Sequence, residues 1–178
     1  MLIHSASQLL TLAGGPQRGH SLGTLGIIEK GAVVVRDEKI VAVGTTDELR
    51  NAYPNEPTLD AGHCVLMPGF VDPHTHVIWA GDRANEFEMK MGGMAYLDIL
   101  AAGGGIISTV KATRTASMET LLAQTRPRLL RMFSHGTTTT EAKTGYGLRT
   151  STELRLLLNT KTIRKATRMK WPTPCCPC

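Results

Sequence analysis

The stretch that most restricts how this chain can fold is Pro68-Gly69-Phe70-Val71-Asp72-Pro73-His74-Thr75-His76. An apolar run, Cys64 to Met67, leads into the Pro-Gly break, and a second extended run ends in two histidines one residue apart. Side chains at i and i+2 of a strand share a face. His74 and His76 are therefore expected to aim two imidazoles the same way, about 6–7 Å apart along the backbone, within reach of one metal ion. The spacing alone is a weak signal, and two histidines so placed are more often surface residues than ligands. The context favours the metal reading, because the end of a buried-looking strand opening into a Gly-containing loop, here Trp79 to Arg83, is where α/β barrels carry their chemistry.

The patterning changes at this stretch. Before it the chain reads mostly as β structure: a short run over residues 2–12, a Gly-rich loop over 14–26, and a hairpin over 32–44 turning at Arg36-Asp37-Glu38-Lys39. Thr45 and Glu48 have the spacing of a capping box, and the helix they start should stop before Pro54. Beyond the stretch, β and α segments alternate, which predicts a parallel sheet. A short helix is expected over 94–100, ended by Gly103-Gly104-Gly105. A longer one starts at Ser117, with Leu121, Leu122, Leu129, Leu130 and Phe133 toward one face; Pro127 should kink or split it. His135-Gly136 stops it, and 137–143 reads as the next strand. Ser151 caps a further helix over 152–158.

Composition removes some function classes. The net charge of +5 comes from Lys161, Arg164, Lys165, Arg168 and Lys170 at the C-terminal end; elsewhere fifteen basic residues match fifteen acidic ones. That balance gives no nucleic-acid footprint outside the tail. No apolar run approaches the ~20 residues of a membrane span, and the N-terminus lacks a signal-peptide pattern, so a cytoplasmic location is expected. Cys64 is expected to be a buried thiol. Cys175, Cys176 and Cys178 lack the second ligand pair of a zinc knuckle, and the triple glycine lacks the companions of a phosphate loop.

Together these residues resemble the amidohydrolase superfamily and, within it, the imidazolonepropionase family. The resemblance is carried by the β-rich segment before Pro68 to His76, by Trp79-Ala80-Gly81-Asp82-Arg83, by Ala101 to Ile106, by Gly136 to Thr139, and by Lys143-Thr144-Gly145-Tyr146-Gly147-Leu148. It implies an α/β fold: a metal-dependent (β/α)8 barrel of which only the first strands are present, preceded by an N-terminal β-sandwich segment. Residues 1–67 would be the composite sandwich segment and 68–158 the first β/α units of the barrel. Residues 159–178 would be a basic, Cys-containing tail, expected to be disordered. The implied reaction opens the ring of 4-imidazolone-5-propanoate with water to give N-formimidoyl-L-glutamate. The implied cofactor is one Zn²⁺ or Fe ion, with His74 and His76 as ligands. Arg83, Tyr146 and Tyr96 would contact the substrate, and a guanidinium fork suits its propionate. The full-length family member is expected to be a homodimer with no membrane or nucleic-acid partner.

From Asn159 the sequence leaves the family pattern and reads like a shifted frame. A complete barrel needs about 250 residues, so the third histidine and the aspartate of the family's metal site are missing. His4, His20, His63 and His135 are expected away from the catalytic face. The 178-residue chain alone is therefore expected to be inactive. Two other readings stand beside this one: another cyclic-amide hydrolase or aminohydrolase of the superfamily, or a non-catalytic binding protein acting through its basic tail.

Overall fold

A computed structural model describes residues 1–166, with side chains through Ile163. It divides into two compact units, Met1–Gly69 and a second beginning at Phe70.

The first unit is one five-stranded sheet with a short helix. β1 (Leu2–Leu10) pairs antiparallel with β2 (Ile27–Arg36), and β2 with β3 (Lys39–Thr45). β4 (Thr58–Asp60) and β5 (Val65–Leu66) both run parallel to β1. The β2–β3 turn holds Asp37 and Glu38 at φ +48° and +62°, the left-handed pair that two-residue hairpins require. α1 (Thr46–Ala52) begins with the expected capping box: Thr45 accepts from the Glu48 amide, and Glu48 accepts from the Thr45 amide at 2.8 Å. Leu49 joins Leu2, Ala32 and Val34 in a small core.

Among the described residues this unit holds a single sheet, and Ile40, Val41, Val43 and Val65 are exposed. One expectation fails here. Cys64 is exposed rather than buried. β5 has only two residues, so Cys64 precedes it in irregular backbone, tied to β1 through its carbonyl, which accepts from Ser7 N–H at 2.9 Å.

The second unit is built on two parallel strands, β6 (Phe70–Thr75) and β7 (Thr137–Ala142), in register Phe70↔Thr137 to Thr75↔Ala142. Between them run α2 (Ala84–Met91), α3 (Tyr96–Ala101), α4 (Ile106–Thr115) and α5 (Met118–Ser134); α6 (Thr150–Ala166) follows β7. The core is centred not on β6 but on the segment after it: Val77, Ile78 and Ala80 pack with Leu121 and Leu156. β6 itself is half-bare, with Phe70 and Val71 exposed, because two strands alone cannot cover both faces of a sheet.

Sequence patterning missed α2 and α4 and misjudged two other helices. α5 runs unbroken through Pro127. Proline frees the carbonyl four residues back, and here both Ala123 and Pro127 lie on the exposed face of the helix. Leu121 and Thr125, fully buried, anchor the opposite face. α6 continues past 158 to Ala166, so residues 159–166 are helical where disorder was expected. Asn159 is fully buried, and Ile163 packs on the core. The rest of the tail expectation, including its three cysteines, concerns residues outside those described.

Among the described residues, no helix is long and apolar enough to cross a membrane.

Candidate metal centre

The site forms where β6 ends. Asp72 accepts the His74 amide at 3.2 Å, Thr75 donates its hydroxyl to the Glu141 carbonyl at 2.6 Å, and the Thr75 carbonyl accepts from Lys143 N–H at 2.8 Å. This pairing with β7 keeps the backbone extended up to the second histidine. The imidazole centroids of His74 and His76 lie 5.4 Å apart, tilted by 58°. A tetrahedral zinc with Zn–N of about 2.0–2.1 Å sets two ligating rings about 5 Å apart, so the pair has the separation of a shared ion.

His76 carries a second sign. Its Nδ1 is buried and has no hydrogen-bond partner, a state that buried polar atoms rarely keep. The ring stands edge-on to Tyr146, with centroids 5.6 Å apart. It also lies against Gly145, where an added Cβ would come within 2.9 Å of Cε1 and 3.1 Å of Nδ1. A side chain at 145 would push the imidazole out of place.

The segment leaving β6 is fixed from two helices. Arg128 of α5 donates to the carbonyls of Trp79 (2.7 Å) and Val77 (3.2 Å) and stacks 3.5 Å over the Trp79 ring. Burial lowers its pKa from the ordinary value. Thr113 of α4 accepts the Ala80 amide at 3.1 Å. This support delivers Arg83, whose Nε and Nη2 meet the two carboxylate oxygens of Glu86 at 2.9 and 2.5 Å. Glu86, buried, also accepts the Gly105 amide at 2.8 Å, which gives one of the three glycines a structural role. The Arg83 hydrogen bonds and that amide hold the Glu86 carboxyl below its usual range against the opposing effect of burial. The guanidinium pKa is raised, first by Glu86 and further by the fields of Tyr96 and Tyr146. Tyr96 is exposed.

His76 therefore stands in ring contact with both His74 and Tyr146. Among the described residues, no group of three or more His, Cys, Asp or Glu is placed to hold a metal. His135 caps the end of α5 beside the start of β7, at the opposite strand end from His76. Sequence reasoning missed Arg128, a helical arginine with no local signal, and the Glu153 contacts to the 144–148 loop. Glu153 had a signal: an acid in the first turn of a helix following a glycine-rich loop.

Comparison with known proteins gives this constellation a context. A family profile described as "Imidazolonepropionase-like composite domain, bacteria" matches residues 31–55. An imidazolonepropionase from Herpetosiphon aurantiacus is 51% identical over 156 residues, 88% of this chain and 36% of that protein. One from Chloroflexus aggregans is 48% identical over 88% of this chain and 37% of its own length. The chain thus spans little more than a third of the relatives it matches. Among solved structures, guanine deaminase from E. coli superposes with a TM-score of 0.59 at 14% identity, covering 91% of this chain and 33% of that one; a likeness at that identity speaks for the fold alone. The identities, sustained over nearly nine-tenths of the chain, make it similar to the imidazolonepropionases across a stretch equal to little more than a third of their length.

Proposed function

We propose that this chain supplies the first half of the metal site and one wall of the substrate site of an imidazolonepropionase, which adds water to 4-imidazolone-5-propanoate and opens the ring to N-formimidoyl-L-glutamate. The observation that carries the reading is the convergence of His74, His76 and Tyr146 where β6 and β7 end. His74 and His76 would hold zinc or iron: imidazole nitrogen suits both ions, and the unpartnered Nδ1 of His76 marks a ring without a protein partner on that side. A bound ion of this kind polarises a carbonyl and activates water.

The remaining roles belong to the chain itself. Arg83 offers its charge to the propionate; Glu86 takes the Nε–Nη2 edge of the fork, so a carboxylate would approach from the other edge. Tyr146 forms an aromatic wall with a phenol donor, and Tyr96 a second contact toward Arg83. The completing ligands come from the later portion that the relatives have beyond this chain's match.

The same reading extends to the fold. β6 and β7 would be the first two strands of a (β/α)8 barrel, within a segment spanning 68–158, and residues 1–67 one layer of a composite sandwich. An apolar groove of about 510 Å³, lined by Leu122, Leu129, Leu130, Phe133, Thr138 and Ile163, flanks β7 where a third strand would add. The exposed Ile40, Val41 and Val43 would likewise be covered by a second sheet.

Joining residues 1–158 to the C-terminal portion of the Herpetosiphon relative tests the activity. Loss of imidazolonepropionate absorbance, abolished by His76→Ala, is the expected result. Turnover of hydantoin or dihydroorotate without turnover of imidazolonepropionate would replace this reading with another cyclic-amide hydrolase.

A further inference from the structure

The loop carrying Tyr146 is irregular, with Gly145 at φ +149° and Leu148 at φ +49°. Such backbone has no ladder to satisfy its polar groups, so its position depends on what else binds them. Two opposite charges from two helices do so here. The amides of Gly147 and Leu148 both donate to Oε1 of Glu153, in the first turn of α6, at 2.8 Å each. The carbonyls of the same residues accept from Arg114, at the end of α4: Nε reaches Gly147 at 2.6 Å and Nη2 reaches Leu148 at 3.1 Å. Arg155 of α6 then donates to the carbonyls of Thr113 (2.8 Å) and Arg114 (3.1 Å), tying the end of α4 to the helix that carries Glu153.

Space confirms how closely the loop is gripped. A Cβ on Gly147 would lie 2.9 Å from both Glu153 Oε1 and Thr152 Cβ. Tyr146 sits between this held glycine and Gly145, which touches the His76 ring.

We infer that Glu153 and Arg114 are positioning residues: one takes the amides and the other the carbonyls of the two residues after Tyr146, and so they set the phenol ring against His76. Their hydrogen bonds go to the loop backbone and not to the Tyr146 ring. A purely structural account would give each only a favourable charge at a helix end, acid at the start of α6 and base at the end of α4. That account requires charge but no particular geometry at Tyr146.

The inference deepens the proposed function, which reads Tyr146 as a substrate contact, yet its test needs neither metal nor substrate. In the 178-residue chain, the nuclear Overhauser effect between the His76 Cε1 proton and the Tyr146 ring protons reports their contact. Glu153→Ala should abolish it while amide protection in β6 and β7 persists. Glu153→Gln should retain it, because the amide oxygen still accepts from both N–H groups without the charge. Should Glu153→Ala fail to fold, Arg114→Met serves by the same readout and should also abolish the signal. A signal preserved in the folded Ala or Met variant, or lost in the Gln variant, overturns the inference. Failure of the chimera to turn over imidazolonepropionate would sink the functional reading and leave this one intact.

Discussion

Arg128 offers the sharpest quantitative test of how the site is supported. Replacing it with methionine keeps an unbranched stem of similar length and removes three interactions at once. The hydrogen bonds to the Trp79 and Val77 carbonyls, at 2.7 and 3.2 Å, are charge-assisted, a class that contributes about 1.5–3 kcal/mol each where well formed. The stack on Trp79 at 3.5 Å adds about 0.5–2 kcal/mol. Against these stands the cost of desolvating the guanidinium, visible as its lowered pKa, and the longer Val77 bond belongs at the low end. The net expectation for Arg128→Met is a loss of about 2–4 kcal/mol from the second unit, a factor of roughly 30 to several hundred in its folding equilibrium. Arg128→Lys should lose about half as much, since an ammonium has no planar face to stack and no fork to span two carbonyls. Urea unfolding followed by Trp79 fluorescence, in a Trp171→Phe background, measures both. A Met variant within ~0.5 kcal/mol of the parent, the ordinary range of surface changes, or a Lys variant equal to it, would refute the claim that this guanidinium holds the strand exit.

Other expectations follow from the geometry. Cys64, exposed beside β5, should react with a thiol reagent in the native chain about as fast as after unfolding, tested with the last three cysteines changed to serine; strong native protection would contradict its placement. Glu86 and Glu153 both have pKa values lowered from 4.5. For Glu153, burial opposes the shift but is outweighed by hydrogen bonds from the 144–148 loop, those of the Leu148 and Gly147 amides at 2.8 Å among them. Carboxyls lowered on folding stabilise fully above their unfolded value, and that contribution is lost as pH falls through the folded one. The urea midpoint should therefore fall below about pH 4.5, and the Glu86→Gln, Glu153→Gln double variant should show a shallower fall; an unchanged acid slope would exclude these two as its source. The 178-residue polypeptide alone, given zinc, should show no imidazolonepropionate turnover, because catalytic zinc ordinarily takes three protein ligands; enzyme-like rates would overturn the half-site reading.

Local chemistry was legible wherever neighbouring residues decide the outcome. Thr45 and Glu48 satisfy each other's backbone within one helical turn, so the start of α1 needed nothing distant. The hairpin turn at Asp37-Glu38 and the stop of α5 at His135-Gly136 are likewise set within a few bonds. The histidine pair belongs to the same class: a period of two puts His74 and His76 on one side of any extended chain, and their rings stand 5.4 Å apart.

Tertiary structure decided everything that depends on what lies opposite. Cys64 reads as buried from its apolar neighbours, but β5 is too short to be covered and the side chain faces out. Pro127 reads as a kink or a split, but the helix is not split, because packing of Leu121 and Thr125 outweighs one lost hydrogen bond on an exposed face. The tail reads as unstructured at 159 because its composition is basic and unpatterned, yet Asn159 and Ile163 are drawn into the core and α6 continues to Ala166. The placement of Tyr146 against His76 is of the same kind. The two residues are far apart in the chain, and their contact exists because β6 and β7 pair in parallel and Glu153 and Arg114 hold the loop that follows. Periodicity and turn chemistry act over a few residues and are written in order along the chain. Burial and partnership arise from contacts across it, which no single segment encodes.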